Sequence, residues 1–343
     1  MKILICSDGF HAHYFERTAW ANAFNSVEGV RAILYDVNDR AFDVFDKYEP
    51  DVFIGQLYNL NDSTIKCIVE RPHMKVALRA GEWNDGETDP HILCSTEKDI
   101  HFLNDLMSKT GKPDMIYSHY MQEDILSTHS KFVDMGLNVV GVPMSADINI
   151  YTQGRYNKYL DCDIGFVGGY WPYKGVVIDQ YLTPLCKDFS YNIKIFGNQP
   201  WPHINQYCGM LKDNEVADLF CSAKICPNLS EPHSHTRGID INERVFKILG
   251  AGGFCIMDNV AAARKIFQEG VVFAESPEAF RYKVDFYLAK KGDRLEIARL
   301  GKKTVLSGHT NFHRAATIMA GINELKTSER ILKKYNDYLS SIQ

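Results

Sequence analysis

No two of the nine cysteines stand in a CxxC pair, and no apolar run approaches the roughly 18 residues needed to cross a bilayer. The first absence speaks against a zinc ribbon or a thioredoxin-like redox motif. Cys6 and Cys255 sit inside apolar strands, so the cysteines read as buried thiols of a reducing compartment rather than a disulfide framework. The second absence leaves only peripheral membrane association. With no signal-peptide pattern at the N-terminus, a cytoplasmic location is expected. Large basic surplus is also missing. The 38 Lys and Arg are outnumbered by 43 Asp and Glu, which argues against a dedicated nucleic-acid binder. Neither a GxGxxG fingerprint nor a P-loop ending in GK[ST] occurs, so the common glycine-rich phosphate loops are absent.

What is present is an alternation of short β-rich apolar segments with helical patterns over 343 residues. That alternation predicts parallel sheets covered by helices, and the length predicts two domains. Strands are predicted at 2–6, 31–35, 52–56, 75–79, 115–118 and 138–142. A polar, tyrosine-rich linker from Pro143 to Lys158 follows. The pattern then restarts with strands at 164–167, 192–196, 223–226, 254–257 and 271–273. Helices are expected near 214–222 and 277–290. Residues 1–155 are expected to form one doubly wound domain and residues 156–310 a second, facing it across a cleft. The tail 311–343 is expected to pack back on the first, because the stripe Phe312, Ala316, Met319 needs an apolar partner.

Two segments could carry chemistry. The stretch Asn228–Gly253 runs from a strand through a loop with Glu231, His233, His235 and Arg237 into a helix that starts near Ile241. Asn242 or Asp240 could cap that helix. Free N–H groups at a helix start favour an anion, and Arg244 adds a forked donor suited to phosphate. A bland alternative pairs Arg244 with Glu243 or Asp240 on the surface. The second segment, Asp163–Gly175, leads a strand into Gly168-Gly169 and then Lys174. Glycine lets a ligand approach the backbone, and lysine supplies charge. His233 and His235 stand at metal-like spacing but lack a second ligand cluster.

Taken in order, DIGFVGG (163–169), IFGN (195–198), CPN (226–228), INERVFKILGAGGF (241–254) and GHTNFHR (308–314) resemble the donor domain of spore-maturation-protein-like glycosyltransferases of the GT-B fold. The resemblance covers about 150 residues. It implies transfer of a sugar from a nucleotide-sugar donor, with no cofactor and no metal. It places Gly168 and Gly169 facing the donor, Lys174 and Arg244 on its diphosphate, and Gly197 and Asn198 at the nucleobase. Asn228, Ser230 and Glu231 fall where relatives hold the sugar and distal phosphate. One position departs from the pattern. Many relatives have glutamate at Lys247, where it holds the ribose, and a protonated lysine cannot accept from ribose hydroxyls. Glu243, one turn earlier, is a substitute; alternatively Lys247 serves the diphosphate. Lying three residues apart, Arg244 and Lys247 are expected to share one helix face with an anion between them.

The first domain offers Glu82 and Asp85 beside Trp83 as candidate bases for the acceptor, and Asp8, His11 and His13 after the first strand. The acceptor classes left open are a glycan, a lipid-linked sugar, a protein and a modified DNA base. A non-catalytic nucleotide-sugar or glycan-binding module and a sugar epimerase of the same fold are the competing readings.

Overall fold

The computed structural model describes residues 1–7, 12–83, 94–95 and 97–342, without the side chains of Ala12, His13, Asn59, Glu82, Trp83, Cys94 and Ile342. The chain divides into two compact units. Met1–Pro143 with Asn311–Gln343 form the first, and Met144–Thr310 the second. Residues 144–155, on the first-domain side of the boundary expected from the sequence, therefore group with the second unit.

The first unit is built on a six-stranded parallel sheet. Its strands are β1 (Lys2–Ser7), β2 (Arg31–Asp36), β3 (Val52–Gln56), β4 (Lys75–Arg79), β5 (Met115–Ser118) and β6 (Val139–Gly141), in the order β2-β1-β3-β4-β5-β6. Strands β3 and β5 are buried along their whole length, as expected for central strands covered on both faces. Helix α1 (Ala12–Asn25) lays Trp20 and Phe24, both fully buried, toward the sheet, where Trp20 meets Tyr117 edge-on. Elsewhere in this unit Glu82–Trp83 pairs in parallel with Cys94–Ser95.

The second unit repeats the plan with β7 (Cys162–Val167), β8 (Ile193–Phe196), β9 (Ala223–Asn228), β10 (Cys255–Asp258) and β11 (Val272–Ala274), in the order β8-β7-β9-β10-β11. One apolar cluster packs the Asp213–Ser222 helix and Val245, Phe246 and Leu249 on one face. Another packs α2 (Pro172–Tyr181) and the Pro277–Leu288 helix on the other. All eleven strands of the two sheets fall where the apolar segments placed them. Helices α3 (Pro232–Arg237) and α4 (Glu243–Ala251) connect β9 to β10. α4 stops at Gly252, whose φ of +84° few side chains tolerate.

The tail forms α5 (Asn311–Gly321) and α6 (Leu325–Ile342). Phe312, Ala316 and Met319 are buried within the first unit. Asn311 donates to the Ala19 carbonyl at 2.9 Å, and Asn138 donates to the Gly321 carbonyl at 2.7 Å. The eight described cysteines are all free thiols.

Candidate functional site in the second unit

In the second sheet the chain winds outward from β7, to β8 on one side and β9 on the other. Open parallel sheets bind ligands at the carboxyl ends of strands beside such a reversal. Those ends are Gly168-Gly169 after β7 and Leu229-Ser230-Glu231 after β9. The sequence pattern marked both segments; only the strand order makes them neighbours.

Arg244 joins them. From the first turn of α4, its Nε donates to the Val167 carbonyl at 2.6 Å, and its Nη1 reaches Asn228 Oδ1 at 3.3 Å and the Leu229 carbonyl at 3.4 Å. The guanidinium carbon sits 4.5 Å from the Phe166 ring centroid, a cation–π distance. Among the described residues no carboxylate pairs with it, so the surface ion pair with Glu243 or Asp240 does not form. Nη2 has no protein acceptor among those residues and lies against Gly168, where a Cβ would stand 2.8 Å from it. The turn after β8 is pressed equally close. A Cβ on Gly197 would lie 2.5 Å from the Gly168 carbonyl oxygen, which also accepts from Trp201 Nε1 at 3.0 Å. Asn198 Oδ1 stands 3.3 Å from the Cβ position of Gly169.

Lys174, in the first turn of α2, is 8% exposed and has neither a hydrogen-bond nor an ion-pair partner among the described residues. Burial, and then the neighbouring Arg244 charge, pull its amine down to about 7, against the weaker pull of Glu231 and Asp258. Arg244, also drawn down by burial, to about 10, stays charged at neutral pH. Asn228 is fully buried; its Oδ1 takes Arg244, while its Nδ2 has no partner. Three donor groups, Lys174 Nζ, Arg244 Nη2 and Asn228 Nδ2, are thus left without an acceptor around one strand-end reversal. A buried donor without an acceptor costs about 1–3 kcal/mol. A set of such donors carrying positive charge is complementary to an anion.

The helix start behaves differently from expectation. Asn242 stands at the N-cap of α4, but its side chain does not cap the helix. Its Nδ2 donates to the Leu229 carbonyl at 3.2 Å, and its Oδ1 has no partner among the described residues. Asp240 does not cap it either, being bonded to His233 Nε2 at 2.9 Å. Lys247 requires a further correction. It does not share an anion with Arg244. Its Nζ is 2.7 Å from Glu243 Oε2, one turn back on α4, and 5.5 Å from the Tyr151 ring centroid. Burial opposes the Lys247 charge, but the Glu243 carboxylate outweighs it and raises the amine above its ordinary range. Spacing of three placed both cations near one face; side-chain direction and the nearer carboxylate separated them.

The loop after β9 is pinned by a residue that the sequence reading passed over. Asp258, fully buried at the end of β10, accepts from Ser230 N at 2.6 Å, Ser230 Oγ at 2.8 Å and His235 Nε2 at 2.9 Å. Its only sequence signal was an acidic residue closing an apolar strand. The Asp258 bond raises the His235 pKa against the effect of burial. Glu231 caps α3 by position and is half-buried. Both histidines thus hold carboxylates, and among the described residues no group of three His, Cys, Asp or Glu side chains could hold a metal ion. Asp85, Asp8 and His11 lie outside the described residues. Glu82 and His13 are placed by backbone only.

Residues 180–320 match the family model described as glycosyl transferase-like. That match spans less than half of the chain. Its description agrees with the transferase class expected from the sequence. The part of the site from Asn228 to Arg244 lies inside the matched residues, while Gly168 and Lys174 precede them. No curated protein matches the sequence. Solved structures match in fold. Sucrose-phosphate synthase from Thermosynechococcus elongatus aligns with a TM-score of 0.64 at 10% identity, over 96% of this chain and 100% of its own. An alpha-glucosyltransferase in complex with UDP and a 13-mer DNA containing a central A:G mismatch aligns with a TM-score of 0.62 at 10% identity, over 94% and 98%. The DNA-modifying enzyme beta-glucosyltransferase, studied with and without its substrate uridine diphosphoglucose, gives 0.58 at 12%, over 94% and 100%. These likenesses establish the α/β fold with two Rossmann-like domains. No helix among the described residues is long and apolar enough to cross a membrane.

Proposed function

We propose that the protein is a glycosyltransferase of the spore-maturation-protein-like kind, and that its nucleotide-sugar donor seats the diphosphate on Lys174, Asn228 and Arg244. The observation that supports this is the set of donors without acceptors at the β7/β9 reversal. Negative charge grows on a diphosphate as the bond to the sugar breaks. Fixed cations that fit it best at that stage lower the barrier. In this reading no metal or cofactor takes part, because two side-chain cations meet the charge. Gly168 and Gly169 let the donor approach the backbone, and the Gly197-Asn198 turn takes the nucleobase. Ser230 and Glu231 face the sugar, on the loop that Asp258 pins. Glu243 takes the ribose, with Lys247 as its counter-ion rather than a phosphate ligand. Glu82 and Asp85 are the candidates for the acceptor's base.

The test is calorimetric binding of UDP and GDP, followed by donor hydrolysis and transfer assays on wild type and Arg244→Ala. The expected result is nucleoside diphosphate binding by wild type, weaker binding by the variant, and kcat lowered by about 10²–10³. Arg244→Ala that binds and turns over like wild type would remove the diphosphate assignment. Donor binding by wild type without any hydrolysis or transfer would instead favour a non-catalytic binding module.

A further inference from the structure

Two basic side chains are buried at the β7/β9 reversal, and among the described residues no carboxylate bonds to either. Arg244 spends its Nε and Nη1 on the Val167 and Leu229 carbonyls and on Asn228 Oδ1. Lys174, 8% exposed, stands in the first turn of α2, where the helix dipole also opposes a positive charge. The carboxylates around them are directed elsewhere. Asp258 accepts from Ser230 N, Ser230 Oγ and His235 Nε2, and Glu231 Oε2 lies 3.9 Å from His233 Nδ1.

Burying both charges together is costly. A guanidinium keeps its proton in a protein, whereas a buried amine can lose its own. The groups acting on the Lys174 amine are Arg244 from α4, Glu231 from the loop after β9 and Asp258 from the end of β10. The first opposes its charge and the other two favour it. His235, bonded to Asp258, offsets that carboxylate when protonated. Farther along α2, the Pro277–Leu288 helix sets Glu278 against Tyr181. Burial and Arg244 prevail over the two carboxylates, so the amine titrates at about 7. An anion reverses that balance. A diphosphate esterified at both ends carries one negative charge on each phosphate, and Arg244 with an ammonium at Lys174 would match them.

We propose that Lys174 is a proton carrier of the donor site: it stands as a neutral amine beside Arg244 in the empty site and takes one proton from solvent as the nucleotide-sugar diphosphate seats. This rests on the donor reading above. Donor binding and protonation of Nζ are then coupled, each strengthening the other. The ammonium is in place when the bond from the sugar to the phosphate oxygen breaks and its electron pair moves to that oxygen. Lys174 holds its proton through this step, where the added negative charge favours the ammonium further. The proton returns to solvent when the nucleoside diphosphate leaves, and the site is again singly charged at Arg244. Above about pH 7 each donor bound must bring its proton from an increasingly poor supply, so affinity falls as pH rises.

Calorimetry on the wild-type chain tests this, in two buffers that differ in ionisation enthalpy. UDP-glucose and GDP-glucose are the probes, since their diphosphates have no proton that titrates near neutrality. The expected uptake at about pH 8 is about 0.9 proton per donor bound, because an amine that titrates at about 7 is about nine-tenths discharged there. The dissociation constant should rise about tenfold from about pH 8 to about pH 9. NMR of the side-chain carbon and nitrogen in isotope-labelled lysine locates the proton, with the Lys174 signal assigned by its loss in Lys174→Met. A neutral amine is expected without donor at about pH 8 and an ammonium at saturation. Binding without proton uptake, an ammonium already present in the empty protein, or a Lys174 signal that stays neutral at saturation would overturn the inference and leave the donor reading standing. A wild-type protein that neither probe protects from thermal unfolding loses the donor reading, and this inference with it.

Discussion

Replacing Lys174 by methionine should stabilise the empty protein and disable it. The amine is 8% exposed and has no protein partner among the described residues, so folding must either desolvate its charge or discharge it. Its fall from an ordinary 10.5 to about 7 measures that cost, at about 1.4 kcal/mol for each tenfold change in proton affinity. At pH 7 the cost is roughly 4 kcal/mol. Methionine fills a similar volume without the charge, and replacing buried charges by apolar groups commonly gains about 1–4 kcal/mol. The sign with pH follows from linkage. Between about pH 7 and 10 the unfolded chain holds the Lys174 proton and the folded chain has lost it, so wild-type stability gains from this group as pH rises. The advantage of Lys174→Met should therefore be largest at or below pH 7 and shrink by about 2 kcal/mol by pH 9. Urea unfolding at several pH values reads this directly. The variant should also lose the stabilisation that UDP gives wild type, about 2.7 kcal/mol at 100 times the dissociation constant. A variant no more stable than wild type at pH 7, with a gap indifferent to pH, would show that the amine is already satisfied by the protein. The anion cradle would then lose one of its three donors.

Other outcomes follow from the same geometry. Sugar transfer should survive thorough chelation with EDTA; complete loss restored by manganese would contradict a diphosphate held by the side chains of Lys174, Asn228 and Arg244. Gly197→Ala should cost about 1–3 kcal/mol in thermal or urea unfolding, because its Cβ would stand 2.5 Å from the backbone oxygen of Gly168; a variant as stable as wild type would mean that the two turns are not pressed together. Lys247→Glu should destabilise the fold by about 3–5 kcal/mol, since it sets a second half-buried carboxylate against Glu243, now 2.7 Å from the Lys247 amine. Equal stability in urea would show that Lys247 is not the counter-ion of Glu243.

The order of strands and helices was legible in the sequence, because parallel strands buried on both faces read as short continuous apolar runs. Ile3-Leu4-Ile5 and Phe254-Cys255-Ile256 announce themselves without any partner in view. Helix ends were legible for a similar local reason. Gly252 terminates α4 by its own backbone freedom, and Pro277 can open a helix because it lacks the N–H that a first turn leaves unused. The glycine turn at 168–169 and the cations Lys174 and Arg244 were also visible as residue types in suggestive places.

Their arrangement was not. That the turn after β7 adjoins the loop after β9 depends on the order β8-β7-β9, which no local pattern encodes. Lys247 and Arg244 looked equivalent at a spacing of three, yet Lys247 pairs with Glu243 one turn back on its own helix, while only tertiary packing brought Arg244 the Val167 and Leu229 carbonyls. Asp258 carried no sign of its role, since a buried carboxylate is defined by the N–H and O–H groups around it, here from Ser230 and His235, 28 and 23 residues away. Sequence by itself set which segments bury apolar surface, because hydrophobic periodicity is a property of neighbours along the chain. Tertiary structure decided which charges are met and which are left open, because an acceptor for Lys174, Asn228 or Arg244 has to come from elsewhere in the fold, and among the described residues the fold supplies none for Lys174 Nζ, Asn228 Nδ2 or Arg244 Nη2.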